Sequence, residues 1–142
     1  MKGMIIMALV APSQGLEIML EGILNKTAPT DLKLKLFKND LTPAVGTVIG
    51  DFTESDITGY TAGGKTLTGS SWTVSTDTAT EGSFAEQEWT FTGAGSIYGY
   101  YITNNGGTAV IWAERFSDAP HTFPSGGGTE KITPKIQIAT AS

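Results

Sequence analysis

The stretch that decides the fold is EGSFAEQEWTFTGAGSIYGYYITNNGGTAVIWAERF, residues 81–116. Aromatic and β-branched residues, which favour strands, dominate three segments of it, and glycine-rich turns separate these segments. The second turn, residues 104–107 (NNGG), is a strong hairpin signal because Asn and Gly tolerate positive φ angles. The stretch therefore predicts three consecutive antiparallel strands, at 84–92, 97–104 and 108–116.

Alternating patterns extend the predicted sheet on both sides of this stretch. In DLKLKLFK (31–38), leucines alternate with lysines, which is typical of a half-buried strand. KITPKIQIA (131–139) predicts the last strand, and Pro134 predicts an edge position or a bulge because proline donates no ladder hydrogen bond. The glycine-rich excursion 39–71 is too long to lack structure in a compact domain, so we expect short strands within it, one of them at 60–67.

Residues 12–25, PSQGLEIMLEGILN, carry the only clear helical period in the chain, with apolar side chains at intervals of three and four residues. A helix this short must gain its stability by burying that stripe, which is formed by Leu16, Met19, Leu20, Ile23 and Leu24. The chain is thus predicted to be a single β domain, residues 1–142, with an N-terminal arm at 1–11 and a helix at 12–25. The predicted fold class is mainly β, an antiparallel β-sandwich or Greek-key barrel with one short N-terminal α-helix.

Composition narrows the classes of function. The 142 residues suit one domain, and the absence of cysteine excludes disulfides, thiolate metal sites and thiol nucleophiles. The net charge is −5, and an acidic chain with scattered lysines lacks the basic surface that binds nucleic acid. The apolar N-terminal run, about nine residues, is shorter than the roughly 20 that span a bilayer. We therefore expect no nucleic acid, no membrane and no cofactor.

Candidate catalytic groups are few. His121 is the only histidine, so its one catalytic role would be in a Ser–His–Asp set with Ser117 and Asp118, for which no nucleophile-elbow motif is present. Glu86 and Glu88 share one face of a predicted strand, which is more typical of a solvated surface than of the carboxylate pair of a glycosidase. These features predict a protein that is not an enzyme.

Two loop patterns carry weaker signals. Asp51, Glu54 and Asp56 lack the EF-hand pattern, so surface carboxylates are the preferred interpretation and a calcium-binding loop is the alternative. Residues 63–66 (GGKT) match the end of a phosphate-binding loop, but no buried strand precedes the glycines and no helix follows them. Neither pattern predicts a bound ligand.

Six aromatic residues have two interpretations. They form the core or a subunit interface, or they form a platform on which a sugar stacks. The first interpretation is preferred because aromatic side chains at strand spacing dominate cores and interfaces. The residues are Trp72, Trp89, Tyr98, Tyr100, Tyr101 and Trp112.

The N-terminal arm is the clearest predicted interaction segment. Lys2 followed by GMIIMALVA (3–11) resembles the core of a signal peptide, but the preferred interpretation is an arm or strand that packs on its own body. The alternative is an arm that docks on another subunit, because an exposed apolar run marks an interaction site. The candidate residues for an interface with other chains are Met4, Ile5, Ile6, Met7, Leu9, Tyr60, Trp72 and Tyr101.

A resemblance to a known group rests on an ordered set of segments that covers nearly the whole chain. The segments are PSQGLEIMLEGILN (12–25), DLKLKLFKNDLTP (31–43), FTESDITGYTAGGKTLTGSSW (52–72), EQEWTFTG (86–93), IYGYYITNNGGTAVIWAERF (97–116) and ITPKIQIA (132–139). In this order they resemble small virion structural proteins of tailed bacteriophages, with the best match to capsid cement or decoration proteins.

The resemblance implies a structural protein at the capsid surface of a virion. Such a protein would stabilise the head by binding the lattice of the major capsid protein, and it would associate with itself as a homotrimer. The resemblance implies no catalytic residues. The alternative function is a tail or fibre-associated binding module that recognises a host-surface glycan.

Overall fold

The structure, a computed structural model, describes residues 9–24, 26, 30–76 and 80–138. It is mainly β, with antiparallel sheets and one helix, as the sequence predicts. Helix α1 spans Ser13–Ile23, and short 3₁₀ turns lie at Ile49–Asp51 and Gly69–Ser71. The strands are β1 (Leu9–Val10), β2 (Leu32–Phe37), β3 (Lys65–Leu67), β4 (Thr73–Ser75), β5 (Thr80–Ser83), β6 (Gln87–Phe91), β7 (Gly95–Ile97), β8 (Gly99–Asn104), β9 (Val110–Arg115), β10 (His121–Phe123), β11 (Gly128–Ile132) and β12 (Lys135–Ile138).

A five-stranded antiparallel sheet with the order β1-β9-β8-β2-β3 forms the centre of the molecule. The predicted turn joins β8 to β9: the Gly107 N–H donates to the Asn104 carbonyl oxygen at 2.9 Å, and Gly107 has a φ angle of 69°. The Asn104 side-chain oxygen accepts the Thr108 N–H at 2.8 Å, which closes the turn further. β8 and β9 are buried over most of their length, so the hairpin is central in the sheet and covered on both faces.

Two clusters of buried side chains cover opposite faces of this sheet. Tyr100 belongs to the main cluster, which also contains Trp89 and Phe91 of β6, whereas Tyr101 belongs to the second cluster and stacks on Phe52 at 4.4 Å between ring centroids. Neighbouring residues of a strand point to opposite faces, which is why adjacent tyrosines enter different clusters. The pair β6–β11 therefore packs on one face, and the excursion after β2 covers the other, in a sandwich-like arrangement.

Glu54 anchors the long excursion to the central sheet. One carboxylate oxygen accepts a hydrogen bond from the Lys35 ammonium of β2 at 3.0 Å. The other accepts from the Tyr60 hydroxyl at 3.0 Å and from the Gly63 N–H at 2.8 Å. The sequence predicted an ordinary surface carboxylate at this position, and the structure corrects that prediction: Glu54 is a partly buried hub with charge-assisted hydrogen bonds.

The first predicted hairpin, between the strands at 84–92 and 97–104, is not formed. β6 pairs with β11, and β7 pairs with β10. The chain leaves β6 at Thr92, whose N–H donates to the Thr58 carbonyl oxygen at 2.8 Å. The glycines at 93 and 95 let the chain pass close to residues 57–59. A Cβ on Gly95 would lie 2.4 Å from Ile57 Cγ1.

Two further predicted strands differ from the structure. The one at 131–139 is divided into β11 and β12, which pair with β6 and β5 respectively, and Pro134 lies at the break. Proline has no N–H to donate, but the Pro134 carbonyl oxygen accepts the Phe84 N–H at 3.0 Å. The strand predicted at 60–67 is shortened to β3, because Gly63 and Gly64 turn the chain with φ angles of 81° and 79°.

Candidate interaction surface

Helix α1 lies against β9 with its glycine side. Gly15 is buried, and a Cβ atom there would lie 2.2 Å from the Ile111 carbonyl oxygen. The Gln14 side-chain oxygen accepts the Val110 N–H at 3.4 Å, and the helix, Ser13–Ile23, lies within the predicted range 12–25. Absence of a side chain at Gly15 therefore lets the helix backbone approach the sheet closely.

The apolar stripe of the helix points away from this contact. Met19 packs against the main cluster, whereas the other four side chains of the predicted stripe are more than half exposed: Leu16 51%, Leu20 57%, Ile23 82% and Leu24 59%. We call these four residues the α1 stripe. The prediction that the helix buries its whole stripe is wrong, because the face carrying Gly15 contacts the sheet instead. Residues three and four apart are neighbours on a helix, so the α1 stripe is one continuous apolar surface.

A second apolar surface lies at the three-stranded sheet β12-β5-β4. It is a groove of ≈ 410 Å³, lined by Leu32, Trp72, Val74, Thr80, Gly82, Ile136 and Ile138, and we call it the β4–β12 groove. None of these lining residues is charged. Val74 on β4 and Ile138 on β12 are 69% and 61% exposed, so the two sides of the groove are open to solvent.

The structure separates the residues predicted to form an interface. Residues 4–7 lie outside the described ranges. Leu9 pairs through its backbone with Glu114, so the predicted arm 1–11 joins the sheet from residue 9 onward. Trp72 lines the β4–β12 groove, and the partly buried Tyr60 stacks on Trp89 at 6.2 Å between ring centroids.

Tyr101 was predicted as an interface residue, and the structure corrects this prediction. Its side chain is 2% exposed within the second cluster, so it has no surface to offer to another chain. Trp89, Tyr100 and Trp112 are buried in the main cluster. The core interpretation of the aromatic set holds for these four residues, which form no platform for a sugar.

Both ring nitrogens of His121 are engaged by carboxylates. Nδ1 lies 2.9 Å from a Glu130 carboxylate oxygen, and Nε2 lies 2.8 Å from an Asp118 carboxylate oxygen. The ring also stacks on Phe116 at 4.3 Å between centroids. Because each nitrogen already has a partner, the ring is not free to take a proton from Ser117, and the Ser–His–Asp alternative is not formed.

We expect the His121 cluster to make stability pH-dependent near neutrality. Burial lowers the pKa of His121, but the hydrogen bonds to Asp118 and Glu130 outweigh it and raise the pKa above its ordinary value of 6.5. A group with a raised folded-state pKa stabilises fully below its unfolded pKa, and that contribution is lost as the pH rises through the folded pKa. The free energy of unfolding should therefore fall between about pH 6 and pH 8, by at most about 1 kcal/mol for a partly exposed ion pair. Urea denaturation across this range measures the effect.

The matched variant for this measurement is His121→Gln, which keeps a hydrogen-bonding side chain and removes the titration. It should flatten the pH dependence between pH 6 and pH 8. An unchanged slope in the variant would show that other groups cause it. The His121 hydrogen bond also holds the pKa of Asp118 below its ordinary value, so the Asp118 contribution is lost only in acid.

The other candidate carboxylates have separate partners. The Asp51 carboxylate accepts the Val48 N–H at 2.8 Å, and Asp56 contacts the Lys38 ammonium at 2.6 Å, while Glu54 forms the hub described above. The three side chains do not converge on one point, and within the described ranges no group of three His, Asp or Glu side chains is arranged to hold a metal ion.

The remaining charged motifs are ordinary surface features. Lys131 lies 3.5 Å from Glu86 and 3.1 Å from Glu88, and all three side chains are about half exposed. In the GGKT segment, Lys65 belongs to β3 and lies 5.0 Å from the centroid of the Trp89 ring. A strand follows the two glycines where a phosphate-binding loop requires a helix, so the match in sequence is accidental.

Comparisons with known protein families, with curated proteins and with solved structures find no match to this chain. Among the described residues, no helix has both the length and the apolar character needed to cross a bilayer.

Proposed function

We propose that this protein is a structural component of a phage virion, a cement or decoration protein that stabilises the head by binding the lattice of the major capsid protein. In this proposal it associates with itself as a homotrimer at the capsid surface. The proposal is supported by the resemblance of the ordered motifs to small virion proteins. The observation that carries it is the α1 stripe, a continuous apolar surface held on a rigid sheet.

The energetics favour covering the α1 stripe. Full burial of one leucine or isoleucine side chain stabilises by about 1.5–3 kcal/mol. Since its four side chains are more than half exposed, covering them would contribute about 3–6 kcal/mol per chain, which offsets part of the cost of association. A helix that lies on the sheet through Gly15 presents these side chains in a fixed geometry, so little ordering is needed when a partner binds.

The alternative is a tail or fibre-associated module that recognises a host-surface glycan. Of the six aromatic residues predicted for a glycan platform, Trp72 and Tyr98 are partly exposed in the structure. Tyr98 lies under the Arg115 guanidinium, which is 5.1 Å from the centroid of its ring. One available ring, Trp72, makes a small platform, so the structure supports self-association and capsid binding better.

The proposal is tested by the mass of the protein in solution and by its binding to capsids. Light scattering after size exclusion should give a trimer, three times 14.9 kDa, and the protein should co-sediment with heads that lack it. Leu20→Lys places a charge in the centre of the α1 stripe while keeping a good helix former, so it should reduce both associations without lowering the melting temperature.

Val48→Lys is the matched control, because Val48 is also exposed, lies outside the α1 stripe and gives the same change in net charge. It should leave the mass and the co-sedimentation unchanged. A wild-type chain that stays monomeric and never sediments with heads would refute the proposal. Consistent binding to one class of glycan, abolished by Trp72→Ala, would favour the alternative function.

A further inference from the structure

We infer that the β4–β12 groove is the docking site for residues 1–8 of a second copy of this chain. The inference rests on the self-association proposed above and adds to it a particular contact. The occupant is the segment MKGMIIMA, which lies outside the described residues. Four observations carry the inference: the chemistry of the groove, its open strand edges, the composition of the segment and the reach of the chain.

The groove is suited to uncharged apolar side chains. Its walls come from Leu32, Trp72, Val74, Ile136 and Ile138, and its volume of ≈ 410 Å³ falls within the range typical of binding pockets. A charged or strongly polar ligand would find no partner among these side chains. An apolar segment would instead remove the exposed surface of Val74 and Ile138 from water.

Open strand edges border the groove. In the order β12-β5-β4, both β4 and β12 pair with β5, so each has one edge without a neighbouring strand in the described part of the chain. An extended peptide can add to such an edge, where its backbone hydrogen bonds give affinity and its alternate side chains enter an adjoining pocket. An extended chain is therefore a better occupant than a helix.

The N-terminal segment has the matching composition. Met4, Ile5, Ile6 and Met7 form an uninterrupted run of large apolar side chains. Among the parts of the chain outside the described ranges, the others are short and polar or small: residue 25, residues 27–29 (TAP), residues 77–79 (DTA) and residues 139–142 (ATAS). The first eight residues are thus the one such segment that fits an apolar groove.

Within one chain, β1 lies far from the groove. Leu9 pairs with Glu114, which pairs with Tyr100, which pairs with Leu36, so Leu9 lies at the level of Leu36 on the sheet. The groove begins at Leu32, about 14 Å along β2 and about 14 Å across three strand spacings, which places it about 20 Å from Leu9.

Chain length and chain direction indicate which copy supplies the segment in the groove. The five residues from Met4 to Leu9 span at most about 18 Å when fully extended, and Met7 lies within about 7 Å of Leu9. The register also shows that β1 runs from the level of Leu36 at Leu9 to the level of Lys35 at Val10, so its N-terminal end faces away from Leu32. The apolar run of a chain is therefore better placed for the groove of a neighbouring copy than for its own, and the intramolecular contact is an outcome of the test.

The contact joins two different surfaces, the segment of one copy and the groove of the next. Such a head-to-tail contact closes into a ring when the rotation between copies permits it, and a ring of three would give the proposed trimer. Since the segment precedes β1 and α1 in the same chain, one neighbour can cover both the segment and the α1 stripe. The two surfaces would then belong to one continuous interface.

Engineered disulfides test the inference directly, because the wild-type chain contains no cysteine. One preparation carries Ile6→Cys and the other carries Val74→Cys, at a position that is 69% exposed. After mixing and mild oxidation, we expect a disulfide between the two variants, identified by mass spectrometry. Mixing Ile6→Cys with Thr90→Cys, an exposed position of β6 outside the groove, is the matched control and should give at most background linkage.

A second measurement compares the Kd of self-association of two variants with that of the wild type. Ile138→Lys should raise the Kd of self-association at least about tenfold, because a charge buried in an apolar groove costs more than 1.4 kcal/mol. Deletion of residues 1–8 should weaken association similarly and leave the melting temperature unchanged, since β1 is retained. Unchanged association in both variants would overturn the inference.

Two outcomes of the crosslinking and one of the mass measurement separate the two proposals. An oligomer that gives no Ile6→Cys to Val74→Cys linkage above the control overturns the groove contact and leaves the proposed function standing. In a chain that carries both Ile6→Cys and Val74→Cys, a disulfide within one monomer shows that the segment folds back onto its own groove, which also overturns the groove contact between copies. A wild-type chain that is monomeric at all concentrations overturns both.

Discussion

Replacing Trp112 with alanine is expected to lower the free energy of unfolding by about 3–5 kcal/mol, the loss typical of truncating a large aromatic side chain in a core. Trp112 is 5% exposed, belongs to the main cluster and lies opposite Ile102 on the neighbouring strand. The cavity would open in the main cluster against the face of β8 and β9, whose ladder hydrogen bonds hold the backbone and limit its relaxation. Urea denaturation followed by far-ultraviolet circular dichroism measures the change without depending on tryptophan fluorescence.

Two further variants test whether the destabilisation by Trp112→Ala comes from lost core packing. Val45→Ala removes apolar atoms from a side chain that is well exposed, and it should change stability by no more than about 0.5 kcal/mol. The free energy of unfolding of Trp112→Phe should fall between those of wild type and Trp112→Ala. Trp112 Nε1 has no hydrogen-bond partner in the described part of the chain, so only packing is lost. A Trp112→Ala protein as stable as wild type would contradict the placement of Trp112 in the core.

Replacing Gly15 with alanine is expected to lower the free energy of unfolding by about 1–3 kcal/mol, as overpacking does. The new Cβ would lie 2.2 Å from the Ile111 carbonyl oxygen and 2.8 Å from two further backbone atoms of the same residue. Because the obstacle is backbone in β9 and no side chain can rotate away, the helix has to move from the sheet. Thermal unfolding and the exchange of the α1 amide protons together measure this displacement.

Gly22→Ala is the matched control in the same helix, and it should raise the free energy of unfolding where Gly15→Ala lowers it. A Cβ on Gly22 meets nothing within 4 Å, and alanine favours a helix over glycine by about 0.5–1 kcal/mol. The same chemical change should thus destabilise at one position and stabilise at the other. Equal effects of the two substitutions would show that α1 does not lie on β9 through Gly15.

Local patterns in the sequence predicted the part of the fold that local chemistry decides. The β8–β9 hairpin is one example, because the Gly107 N–H donates to the Asn104 carbonyl oxygen and the Thr108 N–H donates to the Asn104 side-chain oxygen within the same turn. The failure of the neighbouring hairpin is equally informative. β6 was expected to pair with the strand after it, but Thr92 is held by Thr58, which is distant in sequence, and β11 takes the open side of β6. No pattern within β6 distinguishes these two partners.

The candidate interaction surface also combines features that local patterns predicted with features that tertiary contacts decided. The sequence predicted α1 and its apolar stripe, but it predicted that the stripe is buried. The structure turns the stripe outward because Gly15, with no side chain, permits a closer approach to β9 than any leucine does. The helix contains two glycines, of which Gly15 contacts the sheet and Gly22 meets nothing within 4 Å, so the sequence alone does not mark the contact. The β4–β12 groove had no local signal either, because strands distant in sequence assemble it.

The amino-acid sequence by itself determined that this chain is a mainly β protein with one amphipathic helix, since strand alternation, helical period and turn residues act over a few neighbouring positions. It also determined an apolar N-terminal run and an acidic composition without cysteine. Only the tertiary structure decided which strands pair, which side of the helix meets the sheet and which carboxylate becomes a hub. Those choices depend on contacts between residues far apart in the chain, where packing and close approach outweigh local preference.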